Sequence, residues 1–156
     1  MSKAQIIRLA MCILLCMPFC VVRAQSVNSN AILVVVSAKA SALPNVTQRD
    51  IADLYLGRTR TLSNGQSIVA VDHGATSAIR SRFYKALTGK AITDINAYWA
   101  RLLFTGQSSP PQSLQDTAAV TEAIKSNPGL IGYVEQSQVP NPEAAGLRVL
   151  LTINAP

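Results

Sequence analysis

Ile68-Val-Ala-Val71, Asp72-His73-Gly74-Ala75-Thr76-Ser77, Ala78-Ile-Arg-Ser-Arg-Phe-Tyr-Lys-Ala-Leu-Thr-Gly89 joins a β-branched run, a short polar turn and an amphipathic segment. The run predicts a buried strand. Ile79, Phe83, Ala86 and Leu87 recur at helical spacing and share one face, which predicts a helix ending at Gly89. Arg80 and Tyr84 fall on another face. Thr76 or Ser77 is placed to cap the helix, its hydroxyl accepting from a backbone N–H of the first turn. A strand-to-helix junction of this kind gathers free N–H groups at the positive end of the helix dipole, which suits an anion. Gly74, Ala75, Thr76 and Ser77, with Arg80 one turn on, are therefore the candidate binding residues. An ordinary βα turn uses the same residue types.

Outside this stretch the two ends differ in kind. Lys3 and Arg8 precede an apolar run from Leu9 to Val22, and Val22-Arg23-Ala24 offers the small residues of a cleavage site. This pattern predicts an export signal over residues 1–24, removed after Ala24. The run is short for a membrane span, so a retained anchor is the weaker alternative. The expected mature chain, residues 25–156, is a single domain, periplasmic or secreted, and not membrane-spanning once processed. All three cysteines, Cys12, Cys16 and Cys20, lie in the signal. A processed chain would have no disulfide, thiol nucleophile or thiolate ligand, and its hydrophobic core must hold it alone. Lys3, Arg8 and Arg23 are three of the fourteen basic residues, which leaves eleven against eight acidic ones. So small an excess is no nucleic-acid footprint.

Ala31-Ile-Leu-Val-Val-Val36 reads as a strand covered on both faces, as in an α/β sheet. Thr47 and Asp50 open a helix in capping-box spacing. Val46 is placed to pack on Ile51, and Gly57 closes the helix. Asn64-Gly65 is a tight turn. Ile92, Ile95, Trp99, Leu102 and Leu103 predict the inward face of a second long helix, with Thr93 or a neighbour as its cap. Gln112 to Leu114 reads as a short extended piece, and Asp116 caps a helix carrying Val120, Ala123 and Ile124. Leu130 to Val134 and Leu147 to Ile153 are further strands, with Arg148 pointing out or on an edge. Strands alternating with helices predict an α/β fold, with a mixed, mainly parallel sheet flanked by helices in three layers.

Catalysis finds little support. His73 is the only histidine; it adjoins Asp72 in sequence and reads as a solvated turn residue. No Gly-x-Ser-x-Gly elbow is present. One histidine and scattered carboxylates make no metal set. Thr88-Gly89-Lys90 lacks the other residues of a phosphate loop. The chain is expected to be no enzyme and to need no cofactor.

Asp50-Ile-Ala-Asp-Leu-Tyr-Leu-Gly-Arg58, Tyr98-Trp-Ala-Arg-Leu-Leu-Phe-Thr-Gly106 and Asn127-Pro-Gly-Leu-Ile-Gly-Tyr-Val-Glu135, in that order, resemble the periplasmic phosphate-binding proteins of ABC transporters. The likeness is to the small, single-lobe members of that superfamily. It implies a type II periplasmic-binding-protein-like lobe, a phosphate or other small-anion ligand, and a permease partner. In full-length relatives one lobe offers an Arg…Ser-Gly-Thr pattern at its strand-to-helix turn. Here the hydroxyls of Thr76 and Ser77 survive, the upstream arginine does not, and Asp72 stands near its place. Arg80 either compensates, holding the anion through its guanidinium, or is a solvated surface residue. The first lobe's own glycine-and-hydroxyl loop has no counterpart after Val36. Two functions follow: an exported anion-binding protein, or a lobe reused as an interaction or sensory module for an envelope protein.

Overall fold

The computed structural model describes residues 30–41 and 43–155. The export signal read in residues 1–24 lies outside the described residues. The elements are β1 (Ala31–Ser37), α1 (Gln48–Tyr55), β2 (Val69–His73), α2 (Ala78–Thr88), α3 (Ile92–Phe104), β3 (Gln112–Leu114), α4 (Thr117–Ser126), β4 (Leu130–Glu135) and β5 (Leu147–Asn154).

One mixed sheet runs β3-β2-β4-β1-β5. β2 is parallel to β3 and β4, whereas β1 is antiparallel to β4 and β5. Four strands thus point one way and β1 alone runs against them. The β-branched run of β1 is buried along its whole length, as its composition implies. Double-sided burial marks a central strand here rather than a parallel one, because helices cover both faces of the sheet whatever the strand direction. Ile32, Val34 and Val36 pack with α1, α2 and α3. Leu33 and Val35 point the other way, toward Val120 and Ile124 of α4. These are the three layers.

Local chemistry explains the element ends. Thr47 and Asp50 form a complete capping box on α1, and Gly57 follows at φ 66°, the left-handed conformation glycine adopts most freely. Asp116 caps α4 by accepting from the Ala119 N–H at 2.8 Å. The N-cap of α3 is Ala91, without a side-chain bond, rather than Thr93. Ile95 and Trp99 face inward on α3 as expected, but Leu103 is 61% exposed. It lies in the last turn of α3, where Leu102 rather than Leu103 packs against the core.

The close approach of α4 to the sheet depends on Gly132 in β4. A Cβ built there would lie 2.7 Å from Ile124 Cδ1 and 3.0 Å from Val120 Cγ1. Gly132→Ala should therefore destabilise the protein by about 1–3 kcal/mol through overpacking, read as a lowered urea midpoint at unchanged slope.

Candidate functional site

The candidate site, the bend from Gly74 to Ser77, follows the end of β2. β2 and β3 are adjacent and parallel. The helix that follows β2 packs on one face of the sheet, and the helix that follows β3 packs on the other. This is a topological switch point, and the crevice outside such carboxyl ends is where open α/β sheets take ligands. Gly74 lies against the end of β3, its Cβ position 3.9 Å from the Leu114 carbonyl oxygen and 4.0 Å from that of Gln115.

Two helices start at this end of the sheet, and their termini differ. Asp116 supplies α4 with its own carboxylate. The N-cap of α2 is Ser77, whose side chain makes no cap bond, and no acidic residue occupies the first turn. The cap bond expected of Thr76 or Ser77 is thus absent. The Ser77 N–H turns back to the Gly74 carbonyl at 2.9 Å. Ala75 and Thr76 are exposed, and Gly74 and Ser77 are half-buried. The bend is open to solvent and a helix begins at it.

Beneath the bend the structure departs from the sequence reading. His73 is no solvated turn residue: it ends β2 with 1% of its surface exposed, and its Nε2 lies 2.8 Å from the Tyr133 carbonyl oxygen. That carbonyl can only accept, so Nε2 carries the proton. Arg80 and Tyr84 are not on an outer face either; both are buried. The cause is Asp72, also buried. Its Oδ2 accepts from Arg80 Nε at 2.9 Å and from the Tyr84 hydroxyl at 3.0 Å. Its Oδ1 accepts from the His73 N–H at 2.8 Å and from the Tyr133 hydroxyl at 2.5 Å. Arg80 also donates from Nη1 to Asn96 Oδ1 at 2.9 Å, and its guanidinium lies 5.2 Å from the Tyr84 ring centre. Two of the Arg80 nitrogens are thus committed inside the protein. It is not the solvated surface residue that the sequence offered as one alternative.

Sequence reasoning passed over Tyr84, Tyr133 and Asn96. A signal did exist: a carboxylate inside an apolar strand needs donors, and Arg80 and Tyr84 stand four apart on the next helix. Burial raises the pKa of Tyr55, Tyr84 and Tyr133, and the Asp72 charge raises each further. Tyr55 reinforces the floor by donating to the Val71 carbonyl at 3.0 Å.

Among the described residues no group of three or more His, Cys, Asp and Glu could hold a metal, and no helix is long and apolar enough to cross a membrane. Two clefts lie away from the bend. One of about 250 Å³ runs between the end of α1, the start of β2 and the Ser108–Gln112 loop. Another, of about 470 Å³, lies along the outer side of α3 and includes Arg58, Lys90 and Arg101.

No protein-family profile matches the chain, and no curated protein matches it in sequence. Solved structures do. PstS from Borrelia burgdorferi superposes with a TM-score of 0.55 at 16% identity, over 77% of this chain and 46% of that one. An ABC-type phosphate transport receptor from Vibrio cholerae gives a TM-score of 0.56 at 14% identity, over 77% and 45%. The fold is the periplasmic-binding-protein fold. The resemblance read from residues 50–58, 98–106 and 127–135 is upheld at the level of architecture. A Clostridium perfringens protein, named as a phosphate ABC transporter substrate-binding protein and solved with bound phosphate, gives a TM-score of 0.52 at 16% identity, over 79% and 54%. The chain thus spans about half the length of the binding proteins it matches.

Arg80→Met leaves the Asp72 carboxylate buried without its cation and should cost about 3–5 kcal/mol, measured by chemical denaturation. The buried tyrosines predict a pH effect. The folded chain retains their hydroxyl protons, and the unfolded chain releases them near the usual tyrosine value of about 10. Their contribution is complete below about pH 10 and declines as pH rises past it. In alkaline titration, the tyrosinate absorbance of Tyr55, Tyr84 and Tyr133 should appear only as the protein unfolds.

Proposed function

We propose that this chain is an exported, non-catalytic binding-protein lobe that takes a small oxyanion, phosphate or sulfate, at the bend Gly74-Ala75-Thr76-Ser77. The observation that carries this reading is the open N-terminus of α2 at the switch point, unlike the self-capped terminus of α4. The bend N–H groups other than that of Ser77, which is bonded to the Gly74 carbonyl, and the Thr76 and Ser77 hydroxyls act as the donors. Arg80 contributes by balancing Asp72 beneath them rather than by gripping the anion. Residues 1–24 serve as the cleaved signal and residues 25–156 as the single domain. The phosphate-binding proteins that share the fold, one of them solved with phosphate, support the ligand class. A permease of the ABC type is the partner that goes with it.

A site with donors on one side competes with water at every bond. Binding is therefore weak, in the millimolar range. Titration with phosphate, followed by amide NMR, should move the signals of residues 75 to 79 and leave those of α4 in place. Ser77→Ala alone should weaken binding about tenfold, the worth of one hydrogen bond to a charged group. No shift at the bend with tens of millimolar phosphate or sulfate would sink the reading.

A second reading, an interaction or sensory module for an envelope protein, is favoured by one observation. Phe104 ends α3 with 95% of its surface exposed, beside the exposed Leu103. Phe104→Ser should leave stability within about 0.5 kcal/mol of the parent. On this reading it should also abolish crosslinking to the partner in envelope extracts. Crosslinking that survives the substitution counts against a partner at this surface.

A further inference from the structure

The donors that surround Asp72 outnumber what an ordinary ion pair requires. Arg80 Nε, the hydroxyls of Tyr84 and Tyr133 and the His73 N–H all converge on one carboxylate, each at 3.0 Å or less. They come from four places in the chain: β2 itself, two successive turns of α2, and β4. A guanidinium, two phenols and a backbone amide, all shielded from water, form the donor set that recognises an oxyanion.

We infer that this cluster is a binding site for a small carboxylate, already occupied by the chain's own Asp72 side chain, and that a free carboxylate takes the place when that side chain is removed. The tether explains why the site needs no solute: β2 delivers the anion as the strand forms. It also separates two functions within a few residues. The cluster below the bend keeps a permanent internal anion, and the open helix terminus above is left for external ones. The inference rests on neither of the two functional readings, and either can fail without the other.

Asp72→Gly deletes CH2COO⁻, so acetate is the matching probe. The experiment compares thermal unfolding of the purified parent, Asp72→Gly and Asp72→Asn in sodium acetate and in sodium chloride of equal ionic strength. Acetate should raise the Tm of Asp72→Gly by about 5 °C over chloride, the shift expected near ten times the Kd. The parent and Asp72→Asn, whose sites are filled, should show no such difference. Adding Arg80→Met to Asp72→Gly should remove the gain. If Asp72→Gly does not fold in chloride, recovery on refolding in acetate becomes the readout. Equal behaviour in the two salts, a gain that survives Arg80→Met, or no recovery in either salt overturns the inference.

Discussion

A single carboxylate buried in a β-strand sets much of this structure. Asp72 sits on the second strand of a layered α/β fold, where desolvating an ion without partners would cost far more than any one contact returns. The chain meets that demand with side chains from two elements and a backbone N–H from β2 itself. Arg80 and Tyr84 fix the rotation of α2 about its axis, and Tyr133 fixes β4 relative to β2. The Tyr133 ring then stacks on Phe83 at 3.7 Å between centroids, so one polar requirement organises an aromatic layer between α2 and the sheet. The ion pair supplies less stability than geometry: it specifies which face of the helix turns inward.

That geometry bears on function. With Arg80 drawn down to Asp72, the helix start above it keeps its dipole, its amides and its hydroxyls but has no exposed guanidinium. The chain shares its architecture with phosphate-binding proteins of whose length it spans about half. The exposed Phe104 lies on α3, whereas the bend is formed between β2 and α2.

Patterns dominated by burial and backbone chemistry were legible in the sequence. The capping box at Thr47 and Asp50, the left-handed Gly57, the Asp116 cap and the double-sided burial of Ala31–Val36 all follow from short-range rules. Strand direction was not legible, because a strand covered on both faces carries the same composition whichever way it runs. Nor was the burial of Arg80 and Tyr84. Helical periodicity assigns polar residues to the outside unless a matching charge is known to lie opposite, and Asp72 becomes that charge only once β2 is placed under α2. His73 was misread for the same reason: its partner, the Tyr133 carbonyl, lies sixty residues away in sequence.

The lone reversed strand has a consequence for how the molecule comes into being. Among the described residues β1 is the first strand, yet both its neighbours, β4 and β5, come after every other element. Until those residues exist, the most apolar stretch of the described structure has no place to go, and loop closure over so long a span is slow. A nascent chain is therefore held open by its own topology. The sheet closes only when β4 and β5, the strands furthest along the described residues, pair with the strand that precedes all the others there.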